Sequence, residues 1–423
     1  MSEKVALYRT LSVCPKCLKS VPALIYGEGD AVYMHKACPE HGKFNSLIWE
    51  DTAENYVRWL EYGGLDVKKL PQSEAEAQAL LKGGGFDACA HCLPSSAALM
   101  TTNRCNMDCP VCFTRTKGEA LREPDLAECE RLLRAYRARA GEDAIVELCG
   151  GEPTARPDIL ELANLAREIG FDMIQLNTNG IKLAASVDFC RALKENGVTT
   201  AYLGFDAVSE KPYYAKYGKL MFEIKKRAVE NAAEAGLAVI LVCCVIPGEN
   251  DGDLGGIVEY AKAHMPAVKG VYFQPVSYFG IYPEAHTPRI TIPSVIRKLA
   301  EQCADISVDD FGPGTYEHPQ CSFQGVYIKD RKGTLRAMTH FGPKGANQGD
   351  LHRMRAFLRT AWRPSVQNTL TIGGMAFQDS SNIDLIRLRR CSIQIIGRGG
   401  TLVPLCGKYL SGCGGERLLP GID

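Results

Sequence analysis

Three cysteines in this chain of 423 residues have the spacing of iron–sulfur ligands. They are Cys105, Cys109 and Cys112, in the segment C-N-M-D-C-P-V-C-F. Three thiolates can hold three irons of a [4Fe-4S] cluster and leave the fourth iron open to another ligand. Because an open iron can bind a small molecule, the spacing predicts catalysis rather than electron transfer alone. A structural zinc knuckle is the alternative interpretation.

A glycine-rich segment, G-G-E-P, follows one strand–helix–strand unit after the cysteines. Its residues are Gly150, Gly151, Glu152 and Pro153. Two glycines let the backbone approach a ligand closely, and a proline fixes the turn. Without the cysteines, an ordinary strand-to-helix turn would explain this segment better.

Together the C-x3-C-x2-C run and the G-G-E-P segment resemble the signature of the radical S-adenosylmethionine (SAM) superfamily. In that family the open iron chelates SAM, and the cluster donates the electron that cleaves SAM to a 5′-deoxyadenosyl radical. The resemblance implies the three cysteines as cluster ligands and SAM as a second cofactor. It also implies SAM contacts from four predicted strand ends, namely Gly150, Gly151, Glu152, Pro153, Asn177, Asp206 and Gln274. Ser277 would then line the same pocket, although plain turns and strand-capping polar residues would look identical.

The middle of the chain alternates short apolar, β-branched runs with amphipathic stretches, which predicts parallel strands joined by helices. The expected strands cover residues 97–101, 144–148, 172–176, 200–205, 238–244 and 270–274. The expected helices cover residues 125–138, 157–169, 187–196, 222–235 and 254–264. Six such units predict an α/β fold, a partial (β/α)6 TIM-like barrel over residues 95–300. In α/β barrels the active site lies at the carboxyl ends of the strands, where these motifs fall.

The N-terminal residues 1–94 predict a separate β module that holds a metal ion. Its knuckles C-P-K-C and C-P-E-H-G flank a hairpin pattern, as in zinc ribbons and rubredoxins, and predict one mononuclear iron or zinc ion. The proposed ligands are Cys14, Cys17, Cys38 and His41. A later C-A-H-C segment contains Cys89 and Cys92, which could replace His41, hold a separate centre or form a redox pair.

The C-terminal residues 301–423 predict an α+β domain with an auxiliary [4Fe-4S] cluster that relays electrons. The proposed ligands are Cys321, Cys391, Cys406 and Cys413, on separate loops beside glycines and prolines. Buried free thiols are the alternative. The cysteines inside predicted helices or strands are expected in the core, namely Cys129, Cys149, Cys190, Cys243, Cys244 and Cys303.

Several motifs taken together resemble one branch of the superfamily along nearly the whole chain. The branch includes archaeal tetraether synthases and a related radical SAM (seleno)protein family. The shared segments are residues 14–17, 38–42, 102–112, 273–277 and 391–406. Tetraether synthases join lipid tails at unactivated methyl groups, so the resemblance implies a substrate that is small or lipid-like. The sequence departs from them before Cys89 and after Cys406.

Composition indicates a cytoplasmic protein without a membrane span. Lys plus Arg and Asp plus Glu each number 49, so the formal net charge is zero and offers no field for nucleic acid. The N-terminus has no apolar signal core, and the longest apolar run, residues 237–247, is too short to cross a bilayer. Eighteen cysteines in a reducing compartment favour metal ligation over disulfides.

The predicted activity is hydrogen abstraction from a C–H bond, followed by C–C or C–S bond formation or methylation. The predicted partners are a small, lipid-like or peptide substrate and an electron donor such as ferredoxin or flavodoxin. A maturase of a peptide or protein is the alternative, supported if a groove is lined by Tyr213, Tyr214, Lys216 and Tyr217. A non-catalytic iron–sulfur carrier is the third hypothesis. Candidate acids or bases without a supporting motif are Tyr202, Asp206, His286 and His340.

Overall fold

The N-terminal region forms an antiparallel meander of four strands, paired in chain order. They are β1 (Lys4–Val13), β2 (Ser20–Glu28), β3 (Ala31–Cys38) and β4 (Gly42–Trp49). Two helices follow, α1 (Ala53–Tyr62) and α2 (Glu74–Leu81). The side chains of Thr52 and Ser73 cap these helices by accepting a backbone N–H. The structure is a computed structural model that describes residues 3–82, 95–110, 112–114, 120–280, 288–314, 317–341 and 366–411.

The middle of the chain builds six parallel strands that lie side by side in chain order. They are β5 (Ser96–Thr102), β6 (Ile145–Gly150), β7 (Met173–Thr178), β8 (Thr200–Gly204), β9 (Ala238–Val245) and β10 (Val268–Pro275). The helices of this part are α3 (Leu126–Arg137), α4 (Ile159–Glu168), α5 (Ile181–Ala185), α6 (Val187–Glu195), α7 (Glu210–Tyr217), α8 (Phe222–Ala235), α9 (Leu254–Ala263) and α10 (Ile292–Gln302). Because all six strands are parallel, their carboxyl ends meet at one edge of the sheet.

The C-terminal part extends this sheet at both sides. Its elements are β11 (Ser322–Lys329), β12 (Leu335–Ala337), β13 (Thr369–Met375), α11 (Leu385–Leu388), β14 (Ile393–Ile396), β15 (Leu402–Pro404) and α12 (Leu405–Tyr409). Strand β13 pairs parallel with β10, and β14 pairs parallel with β5. Strands β11 and β12 continue antiparallel beyond β13, and β15 continues antiparallel beyond β14. Within the described residues the sheet therefore has eleven strands, with a parallel centre of eight.

Burial of apolar side chains explains why these segments take these forms. Strand β9, A-V-I-L-V-C-C-V, is almost wholly apolar, as expected for a parallel strand covered on its outer face by helices. Helix α8 buries Ala228, Val229 and Ala232 and ends at Gly236, which adopts a left-handed φ of 69°. Short 3-10 turns cover Val67–Lys69, Pro153–Ala155, Val308–Asp310 and Arg398–Gly400.

The structure confirms the predicted fold class, an α/β fold of consecutive strand–helix units with an N-terminal β module. The division at residues 95 and 301 stays a prediction, and strands from the last part of the chain share the central sheet. Within the described ranges, every helix is too short or too polar to cross a membrane.

Candidate functional site

The three cysteines of the first motif lie on the loop that leaves β5, at the carboxyl edge of the sheet. Each is partly buried and carries a free thiol. The backbone N–H of Met107 donates to Cys105 Sγ over 3.4 Å. Burial, together with the neighbouring thiols of Cys112 and Cys105, raises the pKa of Cys109 to about 11. A bound cation would favour the thiolate forms that this grouping otherwise disfavours, which is compatible with the predicted iron–sulfur cluster.

The G-G-E-P segment packs directly against this cysteine loop. The N–H of Gly151 donates to Thr102 O over 2.8 Å, and the N–H of Glu152 donates to Arg104 O over 2.9 Å. A Cβ on Gly150, whose φ is 149°, would lie 2.1 Å from Thr102 O. The two glycines are thus required for contact between two protein segments, in addition to any ligand.

The Glu152 side chain is buried and joins this segment to the end of β7. Its carboxylate accepts from the Thr154 N–H and hydroxyl, from the Thr178 hydroxyl at 2.8 Å and from the Asn179 N–H at 2.7 Å. Four donors therefore hold the carboxylate in place. Its predicted contact with SAM stays a prediction.

Asp206, at the end of β8, forms a buried network. Its carboxylate accepts from Lys216 Nζ at 2.7 Å, from the Tyr217 hydroxyl at 2.5 Å and from the Cys244 N–H at 2.9 Å. Burial would lower the pKa of Lys216, but the charge of Asp206 outweighs it and raises the pKa well above its ordinary value. Asp206 therefore fixes a cation beside the cysteine loop, and its contact with SAM also stays a prediction.

A cavity of about 380 Å³ opens from the cysteine loop into the interior of the sheet. Of the predicted site residues, it is lined by Cys112, Gly150, Gly151, Glu152, Asn177 and Gln274. Pro153, Asp206 and Ser277 lie outside this lining, and Ser277 donates instead to Phe377 O. The structure thus brings most of the predicted SAM-binding strand ends to one space.

The cavity walls include residues that the sequence analysis did not assign to ligand binding, among them Glu147, Cys149, Tyr272 and Glu317. Tyr202, a candidate acid or base, lies with them, and its ring centroid is 5.7 Å from that of Tyr272. A charged residue inside the apolar strand I-V-E-L-C was the signal that could have identified Glu147. Cys149 was expected in the core; it is buried but faces this cavity.

The charged side chains of the cavity walls are all acidic. Carboxylates of Glu147, Glu152 and Glu317 face the space, and no Lys, Arg or His lines it in the parts of the chain that the structure describes. Burial, and then the negative charges of Glu147 and Glu317, raises the pKa of Tyr202 well above its ordinary value, so its hydroxyl stays protonated. The cavity can accept hydrogen bonds and enclose flat rings, and its walls, as far as the structure describes them, offer no cation for a phosphate.

The N-terminal knuckles form a compact metal site. The ligand atoms of Cys14, Cys17, Cys38 and His41 all lie within 4.8 Å of one another. Cys14 Sγ and Cys38 Sγ lie 3.6 Å and 3.5 Å from His41 Nδ1, and Cys17 Sγ lies 3.9 Å from Cys38 Sγ. Metal–sulfur bonds of about 2.3 Å give a tetrahedron with edges of about 3.8 Å, so these spacings fit one tetrahedral ion. Cys89 and Cys92 lie outside the described residues.

The structure also brings together three of the four C-terminal cysteines. Burial, followed by the charges of Cys406 and Cys321, raises the pKa of Cys391 well above its ordinary value. Arg387 donates to Cys321 Sγ from Nη2 at 2.9 Å and from Nε at 3.1 Å. Cys406 is buried and Cys321 and Cys391 are partly buried, and Arg387 supplies a cation that can offset thiolate charge, which fits the predicted auxiliary cluster. Cys413 lies outside the described residues.

The remaining candidates are dispersed. His340 is exposed on the segment after β12, and His286 lies outside the described residues. Of the four residues expected to line a peptide groove, Tyr213 is fully buried and bonds the backbone at Ala207, whereas Lys216 and Tyr217 bond Asp206. Tyr214 alone among these four is well exposed, at 63%. Tyr213, Lys216 and Tyr217 therefore bond within the protein, and the four residues do not line one open groove.

Family models match two parts of the chain. The model of the Radical SAM superfamily matches residues 99–261, from β5 into α9. The model of the HMPTM N-terminal zinc ribbon domain matches residues 6–50, which contain the four clustered metal ligands.

Similar proteins include two curated enzymes and a solved structure. A 7,8-dihydro-6-hydroxymethylpterin dimethyltransferase of Methanocaldococcus jannaschii is 37% identical over 79% of this chain and 66% of its own length. A probable GTP 3′,8-cyclase of Methanopyrus kandleri is 32% identical over 44% of this chain and 58% of its own length. The FeFe-hydrogenase maturase HydG from Carboxydothermus hydrogenoformans is 15% identical over 59% of this chain and 64% of its own, with a TM-score of 0.41. The chain thus spans at most about two thirds of the length of these proteins.

Proposed function

Because the chain belongs to the radical SAM superfamily, we propose that it uses a [4Fe-4S] cluster and SAM to methylate an uncharged, pterin-like heterocycle. The observation that carries the choice of substrate is the cavity beside the cysteine loop. Its described lining has carboxylates, amides and aromatic rings but no basic residue. A pterin has ring N–H donors and flat faces, which such walls can bind.

The same observation argues against a nucleoside triphosphate as substrate. A triphosphate bound in a cavity needs Lys or Arg, a metal ion or a helix N-terminus to balance its charge. The carboxylates of Glu147 and Glu317 would repel it instead. The pterin substrate named for the dimethyltransferase therefore suits this cavity better than the GTP named for the cyclases.

In this proposal, different residues of the chain would bind the cluster, position the SAM-binding edge and exclude water. Cys105, Cys109 and Cys112 would hold the cluster, and the glycines of G-G-E-P would keep the SAM-binding edge against the cysteine loop. With SAM bound, such a cluster would supply a 5′-deoxyadenosyl radical, which would take a hydrogen atom from a substrate carbon and leave as 5′-deoxyadenosine. Methylation of that carbon would then take a methyl group from a second SAM and one electron from the external reductant, and would release S-adenosylhomocysteine. The enclosing tyrosines Tyr202 and Tyr272 would exclude water from the reacting carbon.

Two further metal centres belong to this proposal. Cys321, Cys391 and Cys406 would hold an auxiliary iron–sulfur cluster next to Arg387, with Cys413 as a candidate fourth ligand. The N-terminal set of Cys14, Cys17, Cys38 and His41 holds a mononuclear iron or zinc ion. Replacing Cys406 by Ala should lower the iron content and leave SAM cleavage at least partly intact.

The deciding experiment offers both candidate substrates to the anaerobically reconstituted, dithionite-reduced enzyme. With SAM and 6-hydroxymethyl-7,8-dihydropterin we expect 5′-deoxyadenosine and a pterin with the mass of one or two added methyl groups, detected by liquid chromatography and mass spectrometry. SAM with a deuterated methyl group assigns the methyl source. The Cys109→Ala enzyme should give neither product. Turnover of GTP with no change in the pterin would overturn the proposal.

A further inference from the structure

We propose that Glu147 is the residue that selects the substrate, by accepting two neighbouring N–H groups from the edge of the heterocycle with its two carboxylate oxygens. This inference rests on the proposed function, since it assigns a binding role within the same cavity. A 2-amino-4-oxo ring edge, as in a pterin, presents two such N–H groups side by side, and a carboxylate matches them in geometry and charge.

Glu147 is held in place by neighbours that leave it room to bind. Its Oε1 accepts from the Ser96 hydroxyl, and its Oε2 accepts from Asn177 Nδ2 at 3.0 Å. Cys149 Sγ lies 4.0 Å from Oε2, at the limit of a thiol contact. A carboxylate has about four acceptor positions. Oε1 therefore keeps one position for a ligand in the cavity, which Glu147 lines, and Oε2 keeps one once a ligand N–H replaces the long thiol contact of Cys149.

Asn177 fixes the orientation of this group. Its Oδ1 accepts from Gln175 Nε2 at 2.8 Å, so its amide N–H2 must face Glu147. The arrangement is therefore oriented before any ligand arrives, which lowers the entropy lost on binding. Glu317, the other carboxylate among the tyrosines, already accepts from the Tyr272 hydroxyl at 3.2 Å. Glu147 differs in that its donors, Ser96 and Asn177, fix both of its oxygens in one orientation toward the cavity.

Other cavity groups are available to the rest of a flat ligand. Within the described part of the chain, the Tyr202 hydroxyl and the Gln274 carboxamide have no hydrogen-bond partner, although both residues line the cavity. The Tyr202 and Tyr272 rings, tilted by 55°, give an aromatic wall beside Glu147. Aromatic walls with a few polar groups are typical of sites for planar heterocycles.

The position of Glu147 along its strand also sets the direction of the ligand. Glu147 precedes Gly150 by three residues on β6, which at ~3.3 Å per residue is about 10 Å below the carboxyl edge. A ring held by its N–H edge at Glu147 therefore directs its opposite end toward Gly150 and the cysteine loop. The carbons on that far end are the ones exposed to reaction.

The test measures binding, without turnover, to the reconstituted holoenzyme with SAM under anaerobic conditions. The probes are a pterin and the same ring without its 2-amino group. Since a hydrogen bond to a charged group contributes about 1.5–3 kcal/mol, the wild type should bind the pterin roughly 10- to 100-fold more tightly than the deamino analogue. Glu147→Gln should bind the two probes within about threefold of each other.

Two further variants complete the test. Ser96→Ala, which frees one oxygen of Glu147, should reduce the preference only partly, whereas Glu161→Gln on the exposed face of α4 should keep it fully. Equal binding of both probes by the wild type, no pterin binding at all, or a full preference in Glu147→Gln would each overturn the role of Glu147. Pterin binding that depends on Glu147 without methylated product would instead overturn the proposed reaction and leave this inference standing.

Discussion

Glu152 illustrates how a residue expected at a ligand can hold the protein itself together. The sequence pattern placed it near SAM, and it does line the cavity. Its carboxylate, however, accepts from Thr154, Thr178 and Asn179, which lie on two separate strand ends. Only a side chain that accepts at both of its oxygens suits this place, because each of these neighbours donates a hydrogen bond.

Glu152→Gln should therefore destabilise the fold. The amide N–H2 would face donors and leave at least one of them unsatisfied in a buried place, at a cost of about 1–3 kcal/mol in the free energy of unfolding. Urea titration measures this change. Glu168→Gln, at the exposed end of α4, makes the same chemical change and should alter the free energy by less than about 0.5 kcal/mol. Equal stabilities of the two variants would show that the four hydrogen bonds do not hold Glu152.

Asp379 predicts a defined pH dependence. Its buried carboxylate accepts from Arg289 Nη2, from the Tyr278 N–H and from Ser381. Burial alone would raise its pKa, but Arg289 and these donors outweigh it and lower the pKa below the ordinary value. The folded state thus favours the ionised form. The resulting stability is present above the unfolded-state pKa of about 4 and is lost as the pH falls through the lower, folded-state pKa.

Asp379→Asn should consequently lower the free energy of unfolding by about 3–5 kcal/mol at pH 7, because Arg289 loses a buried partner. The difference from the wild type should shrink as the pH falls below about 4. Urea midpoints between pH 7 and pH 3 test this, with Asp188→Asn on the exposed face of α6 as the control. A constant difference across this pH range would contradict the lowered pKa.

At the scale of elements, the site depends on how closely two loops approach each other. The cysteine loop after β5 and the G-G-E-P turn after β6 touch through backbone hydrogen bonds at Gly151 and Glu152. A Cβ on Gly151 would lie 2.5 Å from Arg104 O, which is closer than real Cβ atoms approach. The spacing of the cysteines therefore specifies a cluster only when this turn allows the cysteine loop to pack against it.

Gly150→Ala should displace the cysteine loop and lower cluster occupancy. Its Cβ would lie 2.1 Å from Thr102 O, so the loop must move while the strands remain. We expect a several-fold loss of iron–sulfur absorbance after reconstitution, with far-UV circular dichroism unchanged. Gly170→Ala is the control that separates backbone strain from the steric clash of an added Cβ. Gly170 also has a positive φ, 99°, but no atom lies within 4 Å of its added Cβ. Equal cluster occupancy in both variants would argue against the collision.

At the scale of the whole molecule, the sequence predicted local features better than distant ones. All six central strands were expected within a few residues of their observed bounds, because parallel strands are continuous apolar runs. Strands β13 and β14 were missed because their partners, β10 and β5, lie about 100 and 300 residues away in sequence and no local pattern encodes such pairing. The site residues also divide into locally and distantly determined ones. The cysteines of the motif were identified by their spacing, whereas Glu147 and Glu317 are far apart in sequence and are brought to one cavity by the fold.

The N-terminal module is tied to the C-terminal cysteines through polar contacts in a buried interface. Tyr8 of β1 and Tyr56 of α1 bond each other over 3.0 Å, and both accept from Gln320 Nε2. Gln320 directly precedes Cys321. Lys36 Nζ donates to Ser380 O over 2.7 Å. The zinc-ribbon module therefore supports the region around the proposed auxiliary cluster, although it lies at the opposite end of the sequence.

Thr10 offers the sharpest test of this long-range support. Its hydroxyl donates to Asp384 Oδ1 over 2.5 Å, and Asp384 also caps α11 by accepting the N–H groups of Ile386 and Arg387. Thr10→Val keeps the shape and removes the hydrogen bond, so the free energy of unfolding should fall by about 1–3 kcal/mol. Amide hydrogen exchange should rise over residues 385–391, and iron retention by the C-terminal cysteines should fall.

The matched control is Thr401→Val, because Thr401 is exposed and its hydroxyl donates within its own turn, to Arg398 O. We expect it to leave both exchange and iron content unchanged. In Thr10→Val the Cys105, Cys109 and Cys112 site should still cleave SAM, since the Thr10 hydroxyl bonds Asp384 and not that loop. If exchange over residues 385–391 rises equally in both variants, the N-terminal module does not support the C-terminal region. If it rises only in Thr10→Val, the Thr10 side chain helps to position Arg387, which donates to Cys321 and lies more than 300 residues after Thr10 in sequence.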